Sequence, residues 1–485
     1  MSRFYIGIDM GTSSAKLLLL RNDGVVIRAV NSDYAVSQPQ PGWREIEPEQ
    51  WFSAMMKGFE ALLSNEEASR ISGIGVTGQM HTTVFLDDSG EPLRSAISWD
   101  DTRSKALLPE LREKVLSFSQ LQELTNLLSA GAPIASLYWL KQNEPENAAA
   151  LSKFLIGPDY LVYRLTGNLQ TDYCEASTSG LFDMSKRTWS EEVREILGVP
   201  SSVYPAIKGS MRMAGTVLSS IARRAGFPEN VPVIVGTGDN VATAYSLSMM
   251  EKNISFLSLG TSGVLAQCRA DLAPPPCGKQ VLYSPDGSVF HSVNQAVLQS
   301  CGNSLNWWVQ KILGQELSNV GKLSVEKQCD NHLLFYPHLT GDKSLYNDPE
   351  LRGAFLGLYS AGSRDDMTYA VLEGTAFGLR QLFEKLGSRQ THLPVIGGGA
   401  QSDVWMQVLA NVLHVTTVRL SEQAGAAYGI ALMALKAIDC QSSSICADGA
   451  QACASFSPNP DQSRIHDEKY EQYLRIHQAL KIVYP

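Results

Sequence analysis

The chain has 485 residues, 44% apolar and 18% charged, and its 49 acidic and 40 basic side chains give a net charge of −9. That length predicts two globular domains with cores of their own, and the acidic balance argues against a nucleic-acid or anionic-membrane partner. No apolar run approaches bilayer-spanning length, and Arg3 leads straight into a strand rather than a leader-like apolar stretch, so a cytoplasmic protein is expected.

The first predicted strand covers 4–9 and ends in Asp9-Met10-Gly11-Thr12-Ser13. Strands follow over 16–21 and 25–31, joined by the turn Asn22-Asp23-Gly24. Pro48 opens an amphipathic helix in which Trp51, Phe52, Met55, Met56, Phe59, Leu62 and Leu63 share one face and read as core. A strand over 71–76 ends in Gly78-Gln79-Met80-His81, with another over 83–86 and a turn at Asp87-Asp88-Ser89-Gly90. Residues 104–200 read as largely helical, an insertion on the first domain, with one helix starting at Gly157-Pro158-Asp159. A strand over 231–235 leads into Gly236-Thr237-Gly238-Asp239-Asn240 and a helix of small residues. The boundary falls over 243–250, dividing the chain into 1–245 and 246–485.

The second half repeats this order. Phe256-Leu257-Ser258-Leu259-Gly260-Thr261-Ser262-Gly263 matches the opening motif: an apolar strand, Gly-Thr-Ser, then a second apolar run. A strand near Val289, a helix from Ser304 and a long helix over 365–386 follow. A buried strand over 393–396 ends in Gly397-Gly398-Gly399-Ala400-Gln401-Ser402, with helices over 403–413 and 424–438. The polar stretch 440–465 is expected as a loop, and 467–482 as a closing amphipathic helix. The eight cysteines (174, 268, 277, 301, 329, 440, 446 and 453) form no Cys-x-x-Cys pair and are expected as reduced thiols.

The chemistry gathers at the strand ends. A glycine turn brings backbone N–H groups close to an anion, and the hydroxyls of Thr12, Ser13, Thr261 and Ser262 add donors. Two such hairpins facing each other would hold a polyphosphate between two halves. Asp9 beside such a loop would repel phosphate unless a cation lay between them, and Mg²⁺ fits a site of one carboxylate plus phosphate oxygens and waters. Asp239, among glycines at a strand end, is placed to accept the proton of an attacking hydroxyl. The glycine run Gly397–Gly399 would admit a nucleoside.

These pieces resemble the FGGY carbohydrate kinases of the sugar kinase, Hsp70 and actin superfamily, over about 4–440. The most specific likeness is Gly353-Ala354-Phe355-Leu356-Gly357-Leu358 followed by Asp366-Met367 and Ala370-Val371-Leu372-Glu373, which fits the family's second signature. Pro41-Gly42-Trp43, Trp99-Asp100-Asp101-Thr102-Arg103, Asp159-Tyr160-Leu161 and Ala424-Gly425-Ala426-Ala427-Tyr428-Gly429 are similar too. The resemblance implies two actin-like (ribonuclease H-like) α/β domains with an interdomain catalytic cleft, and ATP and Mg²⁺ as cofactors. It implies Asp239 as proton acceptor. Asp9, Gly11, Thr12 and Ser13 would form the first phosphate and metal motif, and Gly260, Thr261 and Ser262 the second phosphate loop. Gly398, Gly399, Ala400 and Ser402 would bind adenosine, and Met80, His81, Trp99, Asp100, Arg103 and Asn240 the sugar. Gly78-Gln79-Met80-His81 looks like the xylulokinase sugar motif, so a small ketose, D-xylulose first, is the expected substrate, with another pentulose, a polyol or gluconate as alternatives. A homodimer is compatible with the resemblance, and an ATP-switched non-enzymatic relative is the rival reading. Four positions depart from the family pattern: Thr82 for Gly, Asp100 for Asn, Ser136 for Lys, and Gly341-Asp342-Lys343-Ser344-Leu345 for Gly-Glu-Arg-Thr-Pro. Thr82 is expected to narrow the sugar pocket, and Asp100 to repel a carboxylated sugar.

Overall fold

The computed structural model describes residues 2–483 except 120, 122–123, 125–126, 251–253, 349, 422–424 and 440–451. Two sheets with one plan carry the molecule. In the first half, the antiparallel meander Phe4–Met10, Ser14–Arg21, Val26–Asp33 is extended by Ile71–Gly78, parallel to Phe4–Met10, and then by the parallel strand Pro232–Ile234. In the second half the meander is Ser255–Leu259, Gly263–Arg269, His291–Leu298, extended by the parallel strands His392–Ile396 and Thr416–Leu420. Thr237–Gly238 adds a short parallel pairing to Ile71–Gly78, and antiparallel edges complete the sheets: Met213–Thr216 on the first, Lys279–Tyr283 and Ala452–Phe456 on the second. The repeated sequence motif is thus the first hairpin of each meander. Both sheets are covered by helices, which is why Phe4–Met10 and Ser255–Leu259 are nearly continuous buried runs rather than alternating ones.

Two helices cross between the sheets. Asp239–Ser246 and Ala426–Ile438 share a core in which Val241, Ala242, Ile430 and Met433 meet Phe256, Ala266 and Val281 of the second sheet. On the other side Ala427, Tyr428 and Leu432 pack on Tyr5, Leu18 and Leu20 of the first sheet. Contact between the helices is close: a Cβ on Gly429 would lie 1.8 Å from the Ala242 carbonyl oxygen. A helix late in the chain therefore roofs the first sheet, and the two halves are joined by a core rather than by a linker.

The structure amends several expectations. Residues 104–200 are helical in large part, but Lys153–Ile156 is a strand; it joins Thr83–Leu86, Ala96–Ile97 and Glu45–Ile46 in a separate small sheet. Val289 lies outside any strand, in a turn where Asp286 accepts the N–H groups of Ser288 and Val289. The strand begins at His291, and Lys279–Tyr283 pairs with it. The helix expected from Ser304 starts at Gly302 and widens into a π-helical turn over Trp307–Ile312. Within the stretch read as a loop, Ala452–Phe456 pairs with Thr416–Leu420, and the closing helix starts at Pro460 rather than 467. A five-residue edge strand of mostly small side chains carries little hydrophobic pattern, and Pro460 suits a first helical turn. Ala424, Cys440 and Cys446 lie outside the described residues, while Cys174, Cys268, Cys277, Cys301 and Cys329 are buried. Among the described residues no helix is long and apolar enough to cross a membrane.

Candidate active site

The strand ends of both sheets open on one cleft. A cavity of about 460 Å³ is lined by Asp9, Lys16, Asp239 and Asn240 from the first half and by Ser258, Gly398 and Gly425 from the second. A second cavity of about 660 Å³ adjoins it, sharing Gly398 and Gln401 and walled by Gly260, Thr261, Leu305, Asn306, Ser402 and Trp405. Gly399 lines this second cavity, while Ala400 lines the first and is nearly fully buried.

The hairpin geometry explains the first cavity. Asp9 and Lys16 stand opposite each other in the ladder, and the turn Gly11–Ser14 closes with the Gly11 N–H donating to the Ser14 carbonyl at 2.9 Å. Thr12 and Ser13 form the tip, which is pinned where Tyr34 N–H donates to the Ser13 carbonyl. The other turn is one residue tighter, Gly260 N–H donating to the Ser262 carbonyl at 3.0 Å.

Asp9 and Asp239 are carboxylates that resist ionisation here. Burial, then the neighbouring charge of Asp239, pushes Asp9 up to about 7 despite Lys16. Burial also raises Asp239 to about 6, against the hydrogen bond from Asn240 N–H and the charge of Lys279. Groups held near neutrality can exchange a proton in the working range, and such shifts collect at functional sites. Among the described residues no cluster of three or more side-chain ligands could cage a metal. The donor set, the Asp9 carboxylate beside a cavity walled by glycines, suits Mg²⁺, which keeps waters and takes phosphate oxygens as ligands.

Met80 and Asn240 come together beside Asp239. Gly238 makes this possible, since a Cβ there would lie 2.7 Å from Met80 Cγ. Asn240 Nδ2 donates to Met80 Sδ at 3.9 Å. His81 adopts a left-handed φ of 72°, which breaks from the preceding strand and turns its imidazole to Lys279 of the second half, 2.9 Å away. Trp99 is 45% exposed, so it is not core; its N–H donates to the Thr82 hydroxyl.

Three sequence expectations change. Thr82 is fully buried and holds the Trp99 backbone, so its side chain does not narrow the pocket. Asp100 pairs with Arg44 at 2.9 Å, so its charge is matched and does not stand against a sugar carboxylate. Arg103 does not join the pocket: its side chain is 1% exposed, bonded to Asp101 and Glu45, and stacked on Trp43 and Trp139. It braces the Trp99–Asp101 segment instead. Sequence reasoning also missed Lys16, Ser258, Gly425, Asn306 and Lys279. Lys16 was findable, because a tight hairpin fixes which residue faces Asp9, and so was Ser258, which stands in the second hairpin where Asp9 stands in the first; Asn306 and Lys279 join the site only through contacts remote in sequence.

Comparison with known proteins gives the chain a family. The models of the N-terminal and C-terminal domains of the FGGY family of carbohydrate kinases match residues 4–246 and 256–438. A xylulose kinase of Escherichia coli K12 is 32% identical over 470 residues, 95% of this chain and 91% of that protein. One from Staphylococcus xylosus is 30% identical over 447 residues, 89% of this chain and 90% of that protein. The crystal structure of a "xyloylose kinase" from Brucella ovis superposes with a TM-score of 0.91 at 30% identity, covering 99% of this chain and all of that one.

Proposed function

Because the chain belongs to the FGGY family of carbohydrate kinases, we propose that it transfers the γ-phosphoryl group of ATP to the terminal hydroxyl of a small ketose, D-xylulose first, in the cleft between 1–245 and 246–485. The observation that carries this reading is the position of Asp239, which lines the cavity shared by the two halves and is followed by Asn240, whose amide reaches Met80. Relatives named xylulose kinase along nearly the whole chain support the choice of sugar.

Asp239 accepts the proton as the hydroxyl attacks, and its raised pKa matches it to that task near neutral pH. The turns Gly11–Ser13 and Gly260–Ser262 direct backbone N–H groups at the phosphates. Gly398, Gly399, Ala400 and Ser402 flank the adenosine, and Asp9 would hold Mg²⁺. That ion, when bound, offsets the charge that gathers on the phosphate oxygens. Met80, His81, Trp99, Asp100 and Asn240 form the sugar side. Closure of the halves excludes water, which would otherwise compete as acceptor.

A second reading, gluconate as acceptor, gains from one observation: the Asp100–Arg44 pair removes the expected repulsion. A coupled ADP-release assay over pentuloses, hexuloses, polyols, glycerol and gluconate at fixed ATP decides between them. A kcat/KM for gluconate or glycerol well above every pentulose would overturn the xylulose assignment. ADP release unmoved by every acceptor would overturn the kinase reading in favour of a nucleotide switch.

A further inference from the structure

The sugar side of the cleft receives a cation from the opposite half. Lys279 starts the edge strand Lys279–Tyr283, directly after Gly278. Gly278 sits at φ 76°, and a Cβ on it would lie 2.0 Å from the Gln295 carbonyl oxygen, so the turn that aims Lys279 requires glycine. This strand is fastened to the first half. Leu282 N–H donates to the Ser177 hydroxyl at 3.0 Å, and the N–H groups of Ser210 and Met211 donate to the carbonyls of Ser284 and Pro285 at 2.9 Å. Lys279 is thus held against the pocket by bonds that span the two halves.

Its amine meets His81 Nε2 at 2.9 Å. An ammonium can only donate, so Nε2 must accept, and the imidazole proton must sit on Nδ1. Nδ1 is buried and has no hydrogen-bond partner among the described residues. A buried donor left without a partner is costly and calls for an explanation. An oxygen of the bound sugar supplies one. Burial pushes the Lys279 amine below its ordinary range, and Cys174, Asp239 and Glu175 act the other way to keep its proton; burial, Lys279 and Lys343 hold His81 well below its ordinary range, so the ring stays neutral. Lys343 forms no ion pair among the described residues, and it stands where the family pattern has arginine.

We propose that Lys279 is a positioning residue of the sugar pocket, fixing His81 as the Nδ1–H tautomer so that the imidazole donates a hydrogen bond to an oxygen of the sugar. This rests on the sugar-kinase reading above. It makes the sugar pocket a two-half site, in which the second half acts on the acceptor as well as on ATP.

The test has two arms. Nitrogen-15 spectra of histidine-labelled, sugar-free protein, with His81 assigned by its substitution, report the tautomer directly. The expected result is Nδ1–H in the wild type and a shift toward Nε2–H in Lys279→Met; Nε2–H in the wild type overturns the proposal. In the kinetic arm, with D-xylulose as probe, Lys279→Met should raise the sugar KM about tenfold, one unmade hydrogen bond of a buried donor, with little change in the KM for ATP. Lys279→Arg, which keeps a donor, should recover much of it. His81→Asn, whose amide stands where Nδ1 does, should retain more sugar affinity than His81→Gln. Equal sugar KM values for wild type and Lys279→Met, or the reverse order of the Asn and Gln variants, would overturn it. If D-xylulose stimulates no ADP release from wild-type enzyme, the substrate assignment fails, while the spectra of the sugar-free protein still decide the role of Lys279.

Discussion

The two halves of this molecule hold the same hairpin, and they differ at three matched positions. Two residues before the turn glycine stands Asp9 in one copy and Ser258 in the other. Across the ladder from these stand Lys16 and Val264. At the start of each crossing helix, after Gly238 and Gly425, stand Asp239 and Ala426. The tips are also anchored differently. The first is tied to a strand end at Tyr34, and the second to a helix start, with Gly302 and Asn303 donating to the carbonyls of Gly260 and Thr261. One backbone cradle has been kept twice, and the charges stand in a single copy. The other is small and neutral at the same places, which leaves room for a nucleotide against its backbone.

The largest effect should come from erasing this asymmetry at the helix start. Asp239→Asn keeps the shape and removes the proton acceptor, and kcat should fall by roughly 10²–10⁴-fold with the sugar KM moved far less. Turnover near the wild-type rate would take Asp239 out of the mechanism.

Next, Asp9→Ser gives the first hairpin the residue of the second. Loss of a charge-organising group at the phosphates should lower kcat on the order of 10²-fold. A titration of activity against Mg²⁺ should show a weakened metal requirement site, and an unchanged metal dependence would make the two hairpins equivalent after all.

The second hairpin offers a cleaner steric test. A Cβ at Gly260 would meet nothing closer than 3.7 Å, whereas one at Gly11 would meet the Ser14 carbonyl at 3.1 Å. Gly260→Val should therefore weaken ATP by about tenfold or more in calorimetry while the melting temperature barely moves, because the side chain obstructs only the ligand's approach to backbone donors. Unaltered nucleotide affinity would reduce this turn to architecture.

The charged copy should also set the pH response. Asp239 at about 6 predicts that kcat/KM falls as pH drops through that value, well above the ordinary carboxylate range. The stability effect has the opposite sense. Asp9 and Asp239 both bind protons more tightly folded than unfolded, so their favourable contribution is full below the unfolded value near 4 and is lost as pH rises through about 6 to 7. Ligand-free protein should gain denaturant resistance on going from pH 7.5 to 5.5, and Asp9→Asn should flatten that slope.

The smallest expected effects concern packing. Gly429→Ala should cost about 1–3 kcal/mol in urea unfolding through overpacking against Ala242. Gly398→Ala, with nothing within 4 Å of its Cβ, should stay within about 0.5 kcal/mol.

Much of this was legible in the chain because it was written locally. A hairpin's turn and its flanking apolar runs are contiguous, so Gly11, Gly260 and the strands around them could be read directly. Asp239 could be read for the same reason, standing at the end of one strand. What could not be read depends on approach through space. Whether Arg103 faces a ligand or two tryptophans depends on where Trp43 and Trp139 arrive. Thr82 looked like a wall of the pocket because it follows His81, yet the left-handed turn at His81 sends the next side chain inward to Trp99. Lys279 lies 198 residues from its partner in an edge strand with no distinctive pattern. The strand Ala452–Phe456 was hidden by its shortness and its small, largely exposed side chains.

The crossing of the two helices bears on how such an enzyme can move. Asp239 stands one helical turn ahead of Ala242, where Gly429 makes its closest approach. If the halves rotate about that crossing, the base, one helical turn away, sits close to the axle. A rotation that sweeps the nucleotide wall through several ångströms then displaces the carboxylate very little. The enzyme could therefore admit and release its large ligand with wide strokes while keeping its smallest, most exacting geometry nearly still.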